Sequence, residues 1–424
     1  MAKKMGFWSV LSIVFGSQIG SGIFVLPSSL APYGFLGILG WCLAGLGAIM
    51  LAMVFAELCT RFPQTGGPHK YVQIVFGRMF GFYVGWAYWL VSWVSSTVLV
   101  VLSVSYLSPI MGTISPILTF ILEMSLLAAV CVLNCKSVEL SGRVELVLTL
   151  MKFIPFIVVP AVIAGNFDAS NIALAPEHAS TSILELITAV TVLCFWGFIG
   201  VECATTPAGA VKNPEKTIPN AIIAGTCGVA VVYLINSVSI MGVIPEAQLA
   251  VCNAPFVDAI EIVLGKNISI LLSIIASIVC IGTLNAWTLT SAQISLGLAQ
   301  DGLLPKIFAK KNSSGSPYAS VIISCVGMLP IILLTKSDNF SSQINCIIDF
   351  SVKAFLMIYM ICCLVFLKEV IRERMVGKAI IGIIAAAFCL LMIVESTLSS
   401  LLIAAAFFIS GVFMLPFVKK EHEK

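Results

Sequence analysis

A single carboxylate, Glu202, lies with two glycines inside a long apolar segment, CFWGFIGVECAT at residues 194–205. Because a charge near the middle of a membrane is costly, this glutamate needs a partner or a task, such as binding a proton. A second apolar segment, GSQIGSGIF at residues 16–24, carries three glycines. Glycine weakens a helix by about 1 kcal/mol relative to alanine. A helix that unwinds there exposes amides that suit an anion and carbonyls that suit an ammonium group.

Two lysines also fall within apolar segments. Lys152 lies in TLMKFIPFIVVP, and Lys353 lies in IIDFSVKAFLMIYM, one helical turn after Asp349. An Asp349–Lys353 pair would offset both charges inside a membrane. Alternatively, as the family resemblance given below implies for this segment, Lys353 or Ser351 lies in the wall of a binding cavity. The sequence leaves both interpretations open.

The composition identifies the environment of these residues. The chain has 424 residues, of which 59% are hydrophobic and 10% are charged, and its mean hydropathy is +1.08. Soluble domains are about 25% charged. The composition therefore excludes a soluble globular protein and predicts an all-α integral membrane protein with a lipid bilayer as its obligatory environment.

Apolar runs bounded by charges and turn residues predict twelve transmembrane helices. The predicted spans lie near 7–31, 35–60, 80–108, 113–134, 144–165, 184–206, 218–243, 268–297, 317–335, 343–367, 377–396 and 398–417. With a cytoplasmic N-terminus, 19 of the 23 Lys and Arg residues fall on the inner side. This bias predicts that both termini are cytoplasmic.

The two glycine-rich segments occupy matching places in the predicted topology. They fall in spans 1 and 6, which begin two five-helix halves at about 7–165 and 184–367, followed by two helices at about 377–417. Glycines three residues apart also permit close helix packing. Two clusters at matched positions, one beside a carboxylate, instead indicate the broken helices of a transporter's substrate site. We expect one transmembrane domain over residues 1–424.

Longer motifs resemble a known family. GSQIGSGIFVLPSSLA, AELCTRFPQTGGPHKYVQIVFG, YWLVSW, FWGFIGVECAT, VKNPEKTIPNAIIAGT, LNAWTLTSAQ and DGLLPKIFAK are similar to the amino acid–polyamine–organocation superfamily of transporters. The resemblance is strongest to its bacterial basic amino acid/polyamine antiporters, typified by the arginine:agmatine exchanger, and it covers nearly the whole chain.

This resemblance implies a LeuT-like fold with two inverted repeats and broken helices 1 and 6. It also implies exchange of cationic amino acids or their amines across the bacterial inner membrane, without a cofactor. Homodimers occur in the family. Proton-coupled uptake of a neutral amino acid remains the alternative function.

The resemblance also assigns roles to individual residues. Amides of the first break would hold the substrate carboxylate, and carbonyls of the second break would hold its amino group; these are Ser21, Gly22 and Ile23, and Trp196, Gly197 and Ile199. Trp196 and Trp287 would contact the substrate as aromatic groups. Further residues would line the side-chain pocket: Ser92, Ser96, Leu99 and Ser351. Tyr88 and Glu202 would contribute to gating, the latter through protonation.

Lys152 bears on the coupling ion. The resemblance implies that spans 1 and 8 hold sodium in sodium-coupled relatives, whereas several sodium-independent relatives place a span 5 lysine near the span 1 break. Lys152 therefore argues against sodium coupling and leaves proton symport or obligatory exchange open.

Other classes of protein lack support in the sequence. The three histidines, His69, His178 and His422, fall in predicted loops or the tail, and neither a His-Glu-x-x-His nor a Gly-x-Ser-x-Gly motif is present. The fourteen cysteines show no metal spacing. We therefore expect no enzyme, no metal site and no nucleic-acid partner.

Overall fold

A computed structural model describes residues 4–20, 22–112, 115–178, 180–252, 255–264, 269–334, 340–395 and 398–416 of the protein. Within this described part, the regular structure is helical, apart from one bridge between Met5 and Val211. The α-helices are α1 Phe7–Gln18, α2 Gly22–Leu30, α3 Phe35–Arg61, α4 Pro68–Phe76, α5 Arg78–Ser105, α6 Ser108–Met111, α7 Pro116–Lys136, α8 Val138–Ile163, α9 Ile183–Phe195, α10 Pro214–Val243, α11 Glu246–Leu249, α12 Pro255–Leu264, α13 Ser269–Gln300, α14 Tyr318–Leu334, α15 Phe340–Arg372, α16 Val376–Val394 and α17 Leu398–Ile409.

The long helices agree with a membrane protein. Nine helical segments of the described part are long and apolar enough to span a bilayer. Three shorter apolar helical segments, Phe7–Gln18, Tyr318–Leu334 and Leu398–Met414, complete the set. Together they fall on the twelve predicted segments. Their arrangement as twelve membrane-spanning helices in two inverted repeats stays a prediction.

Several helices begin or end away from the predicted positions. The fifth predicted span corresponds to α8, which begins at Val138 because the Ser137 hydroxyl accepts a hydrogen bond from the Leu140 amide. The tenth corresponds to α15, which continues to Arg372 before the backbone turns at Arg374, where φ is 56°.

The first predicted span is broken as expected. Helix α1 ends at Gln18 and α2 begins at Gly22. Ile19 has an extended backbone that no longer follows the helix. The break is therefore narrow, and it falls in the glycine-rich motif.

The sixth predicted span is also broken. Helix α9 ends at Phe195, and short 3-10 turns at Trp196–Phe198 and Cys203–Thr205 follow. Gly200, between the turns, has φ of 106°, which favours glycine because a Cβ would be strained there. The glycines of this motif thus end the regular helix, as the sequence predicted.

Packing encloses the first break. Helix α1 contacts α8, α10 and α13, while α5 packs along α13 and α15. At the end of the fold where α1 begins, the Met5 amide donates to the Ala210 oxygen (2.9 Å), and the Lys212 amide donates to the Met5 oxygen (3.0 Å). These bonds tie the start of the chain to the segment that follows the second break.

Candidate functional site

The two breaks border one cavity. Its described walls come from both breaks and from α5, α10, α13 and α15. The lining residues are Ser17, Gln18, Gly20, Gly22, Ser95, Val98, Leu99, Trp196, Gly197, Ile199, Tyr233, Thr283, Trp287, Ile348, Ser351, Val352 and Phe355. None of these side chains is charged, so the cavity offers backbone groups, neutral polar groups and aromatic rings to a ligand.

The structure brings most of the predicted substrate-binding residues to this cavity. Seven of them are in its wall: Gly22, Leu99, Trp196, Gly197, Ile199, Trp287 and Ser351. Ile23 is buried beside Gly22 and is not in the wall. Ser21 lies outside the described residues.

The predicted serines of α5, Ser92 and Ser96, are not among the lining residues of the cavity. The Ser92 hydroxyl donates to the Trp89 oxygen (2.8 Å), and the Ser96 hydroxyl donates to the Ser92 oxygen (2.6 Å). In the described wall, α5 contributes Ser95, which lies one helical turn before Leu99, and also Val98. The structure thus places Leu99 in the cavity wall, and the roles of Ser92 and Ser96 stay predictions.

The two predicted tryptophans pack directly on the breaks. A Cβ on Gly22 would lie 2.6 Å from Cζ3 of Trp196, so only glycine fits beneath this indole. Trp287 donates from Nε1 to the main-chain oxygen of Ser17 at 3.2 Å, and its ring centroid lies 5.1 Å from that of Phe355. Aromatic faces at such positions can hold an ammonium or guanidinium group by cation–π attraction.

Glu202 is held by two phenols. It is fully buried, and its carboxylate accepts hydrogen bonds from the Tyr88 hydroxyl at 2.5 Å and from the Tyr359 hydroxyl. The Tyr359 oxygen also accepts a bond from the Gly200 amide at 3.1 Å. No ion pair to Glu202 occurs within the described residues. The carboxylate therefore links α5 and α15 to the second break.

Lys152 reaches the first break from α8. Its buried ammonium donates to the main-chain oxygens of Gly16 (3.0 Å) and Ile19 (3.2 Å) and to the Thr283 hydroxyl (3.0 Å). The Thr283 hydroxyl in turn donates to the Ile19 oxygen at 2.8 Å. A cation thus occupies the oxygen-lined position between the first break and α13.

A carboxylate that the sequence analysis did not single out accompanies this lysine. Glu145 is fully buried on the same helix, and its Oε1 lies 3.9 Å from the Lys152 ammonium. Asn285 donates to its Oε2 at 2.7 Å, and Asn134 donates to Asn285 at 3.0 Å. A Cβ on Gly16 would lie 2.0 Å from Glu145 Oε1, so the carboxylate rests directly on α1.

The second intramembrane lysine is outside the cavity wall. Lys353 is buried, with 7% of its surface exposed, on the same helix as Ser351. The side chain of Asp349 lies outside the described residues, so the predicted Asp349–Lys353 pair stays a prediction. Of the two residues predicted as alternatives for the cavity wall, Ser351 is among the lining residues of the described wall and Lys353 is not.

A charged cluster outside the cavity wall connects α4 to the residue that follows α13. Asp301, just after α13, bonds to the Lys70 ammonium and lies 3.3 Å from His69 Nε2. Burial raises the pKa of Asp301, but the hydrogen bonds from His69 and Lys70 outweigh it and hold that pKa below its ordinary value. Burial lowers the pKa of His69 despite this partner. The folded protein therefore charges this histidine at a lower pH than that at which an exposed histidine is charged.

Comparison with known proteins agrees with this architecture. A family model described as Amino acid permease matches residues 5–418. The chain belongs to this family. The resemblance drawn from the sequence motifs is thereby confirmed.

Curated relatives of this permease cover most of its length. The cadaverine/lysine antiporter of Escherichia coli (strain K12) is 28% identical over 431 residues, which are 100% of this chain and 96% of the relative. The putrescine transporter PotE of Haemophilus influenzae is 28% identical over 352 residues, which are 83% of this chain and 81% of the relative. PotE of E. coli (strain K12) is 26% identical over 83% of this chain and 80% of the relative.

Some residues of the permease site were missed by the sequence analysis. Gln18 stands within the glycine motif itself, and a polar side chain in an apolar span was a signal for it. Phe355 follows Ser351 by one helical turn, and Tyr359 follows by two, so helical spacing from Ser351 indicates both. Glu145 lies two turns before Lys152, and the same rule would have paired them.

Proposed function

We propose that this permease is a sodium-independent antiporter that exchanges cationic amino acids for each other or for their amines by alternating access. It acts in the bacterial inner membrane with both termini in the cytoplasm. Its twelve helices form two inverted five-helix repeats, followed by two further helices. A homodimer is the assembly that the family resemblance predicts.

The main support for this proposal is that two broken helices meet at one cavity. The described wall of this cavity contains no charged side chain. Broken helices at matching places of two halves are typical of a transporter's substrate site. Relatives covering most of this chain are named for lysine, cadaverine and putrescine, which are all cations. These names support the cationic substrate class over the neutral one.

The breaks supply complementary groups for an amino acid. In our proposal, the amides of Gly22 and Ile23 at the N-terminus of α2 hold the α-carboxylate, together with Ser21 as the family resemblance implies. Carbonyl groups of Trp196 and the residues after it hold the α-ammonium. The rings of Trp196, Trp287 and Phe355 then surround the cationic side chain.

Sodium independence rests on Lys152. Its ammonium already bonds to the Gly16 and Ile19 oxygens and to the Thr283 hydroxyl. A sodium ion at this place would need the same oxygen ligands and would be repelled by the lysine charge. We also propose that Tyr88, Glu202 and Tyr359 form a gate, because their hydrogen bonds hold α5 and α15 against the second break.

Counterflow in sealed proteoliposomes tests the function. Vesicles loaded with unlabelled lysine, in sodium-free solution, are exposed to labelled lysine, arginine, cadaverine, putrescine and leucine. We expect uptake of the cations that requires internal lysine. Trp287→Ala should abolish this uptake, whereas the same substitution at the exposed Trp8, on the outside of α1, should leave it intact.

Two results would overturn the proposal. Uptake of leucine alone, driven by an inward proton gradient without internal substrate, would establish the alternative function. A requirement for sodium would contradict the role of Lys152.

A further inference from the structure

Gln18, the last residue of α1, lies in the cavity wall with 3% of its surface exposed. Its side-chain Nε2 donates to the Thr226 hydroxyl on α10 at 3.2 Å, and its main-chain oxygen accepts from the Tyr233 hydroxyl at 2.8 Å. Helix α10 therefore fixes both the backbone and the amide of this residue.

The amide oxygen of Gln18 has no hydrogen-bond partner among the described residues. A buried acceptor without a partner is costly, and nearly all such groups in native proteins are satisfied. Since this acceptor belongs to a residue of the cavity wall, a donor on a bound ligand can satisfy it. An ammonium group has three N–H donors, carries a positive charge and is present in every proposed substrate.

The position of Gln18 indicates which part of the substrate it meets. Tyr233 bonds to Gln18 and also packs on Gly197, where an added Cβ would lie 2.9 Å from the tyrosine ring. Gln18 thus belongs to the end of the cavity where the two breaks meet, whereas Leu99 of α5 belongs to another wall. The backbone groups at the breaks are those proposed to hold the α-carboxylate and α-ammonium.

We propose that the side-chain oxygen of Gln18 binds the α-ammonium of the amino acid, and the corresponding ammonium of its decarboxylated amine. This inference rests on the proposed function and identifies a residue that serves both exchange partners. The amine lacks the carboxylate, so the ammonium is the group that both substrates present to this end of the cavity. A neutral acceptor suits this task because it holds a monocation and a dication without a fixed opposite charge.

Binding of lysine and cadaverine to the full-length protein in lipid nanodiscs tests this role. Gln18→Met keeps the length of the side chain and removes the acceptor. We expect the dissociation constants of both ligands to rise about tenfold or more, as for the loss of a hydrogen bond to a charged group. The compound 6-aminohexanoate is lysine without its α-ammonium. Its inhibition constant, measured by competition, should differ less than twofold between the wild type and Gln18→Met.

Asn236→Leu provides the matched control. Asn236 is also a buried amide on the α10 side of the fold with an unpartnered oxygen, but it lies outside the cavity wall. Its substitution should leave both dissociation constants unchanged. Gln18→Glu, which retains an acceptor at the same length, should bind cadaverine at least as tightly as the wild type.

The outcomes separate this inference from the proposed function. Wild-type protein that binds neither lysine nor cadaverine would contradict the function itself. Wild-type binding with an unchanged Gln18→Met variant would overturn only the role of Gln18. Equal losses in the Met and Glu variants, equal losses for 6-aminohexanoate, or a similar loss in Asn236→Leu would also overturn it.

Discussion

The Lys152 ammonium lies 3.0 Å from the main-chain oxygen of Gly16, so a side chain of α8 supplies the cation that the first break requires. Carbonyl oxygens left free by an unwound helix need donors or cations when water is excluded. The Lys152 ammonium is such a cation, and it belongs to the protein itself. The first break is therefore stabilised whether or not substrate is bound.

Replacing Lys152 should abolish transport. Lys152→Met leaves the Gly16 and Ile19 oxygens without their donor and leaves Glu145 without its cation. We expect the initial rate of lysine counterflow to fall at least tenfold. Lys310→Met, the same substitution at an exposed loop position, is the control. Equal rates in the two variants would show that the ammonium is dispensable.

The Glu145–Lys152 pair should show strong coupling in stability. Breaking a buried ion pair by removing one partner costs about 3–5 kcal/mol, because the other charge stays buried. Glu145→Gln and Lys152→Met should each lower the thermal unfolding temperature in detergent. The double variant should unfold at a higher temperature than additive losses predict. Strict additivity would mean that the two charges do not interact across 3.9 Å.

The two phenols on Glu202 should not be equivalent. Tyr88→Phe removes one donor to the carboxylate, whereas Tyr359→Phe also removes the acceptor of the Gly200 amide. A hydrogen bond to a charged group contributes about 1.5–3 kcal/mol. We expect Tyr359→Phe to slow exchange and to destabilise the protein more than Tyr88→Phe, as measured by counterflow and thermal unfolding. The reverse order would contradict the bonding seen at Gly200.

A single methyl group at Gly22 should block the site. Gly22→Ala places a Cβ against the Trp196 indole at 2.6 Å, so the ring must move from its place over the break. We expect at least a tenfold loss of lysine affinity. Gly6→Ala, where no atom lies within 4 Å of the added Cβ, should bind normally. Normal lysine affinity in Gly22→Ala would show that this ring position is not needed for binding.

The burial of His69 should make the stability of the protein depend on pH. Since burial lowers the pKa of folded His69 below its ordinary value of 6.5, the unfolded chain binds more protons near that pH. Stability from this residue is complete above about pH 6.5 and is lost as the pH falls below it. Asp301 does not contribute in this window, because its pKa lies below its ordinary 3.8.

Thermal unfolding at pH 8 and pH 5.5 measures this effect. The wild type should lose more stability between the two values than His69→Gln, which stays neutral at both. An identical pH dependence in the two proteins would assign the loss to other groups.

Local sequence signals predicted the helices and the breaks well. The lengths of the apolar segments predicted the helices, and the clustered glycines predicted where α1 and α9 end. The family motifs also predicted that Trp196 and Trp287 lie at the site, and both are in the cavity wall.

Side-chain orientation was harder to predict. In α5, Ser92 and Ser96 are polar residues in an apolar helix, but their hydroxyls bond to their own backbone. Such internal bonds free a serine from any need to face a cavity. Which residues of a helix line a cavity depends on packing between distant segments, as in the contact of α5 with α13, and that information is not local.

The position of Lys152 at the first break limits which ion gradients can drive transport. A metal cation in that position could be released on one side of the membrane and would carry the energy of its gradient into the transport cycle. The Lys152 ammonium is covalently attached to α8 and cannot be released in this way, so it cannot couple transport to the gradient of a metal cation. In the proposed exchange, accumulation of one substrate is bounded by the concentration ratio of the other and by the membrane potential, which acts on any net charge moved with about 2.3 kcal/mol per charge at 100 mV.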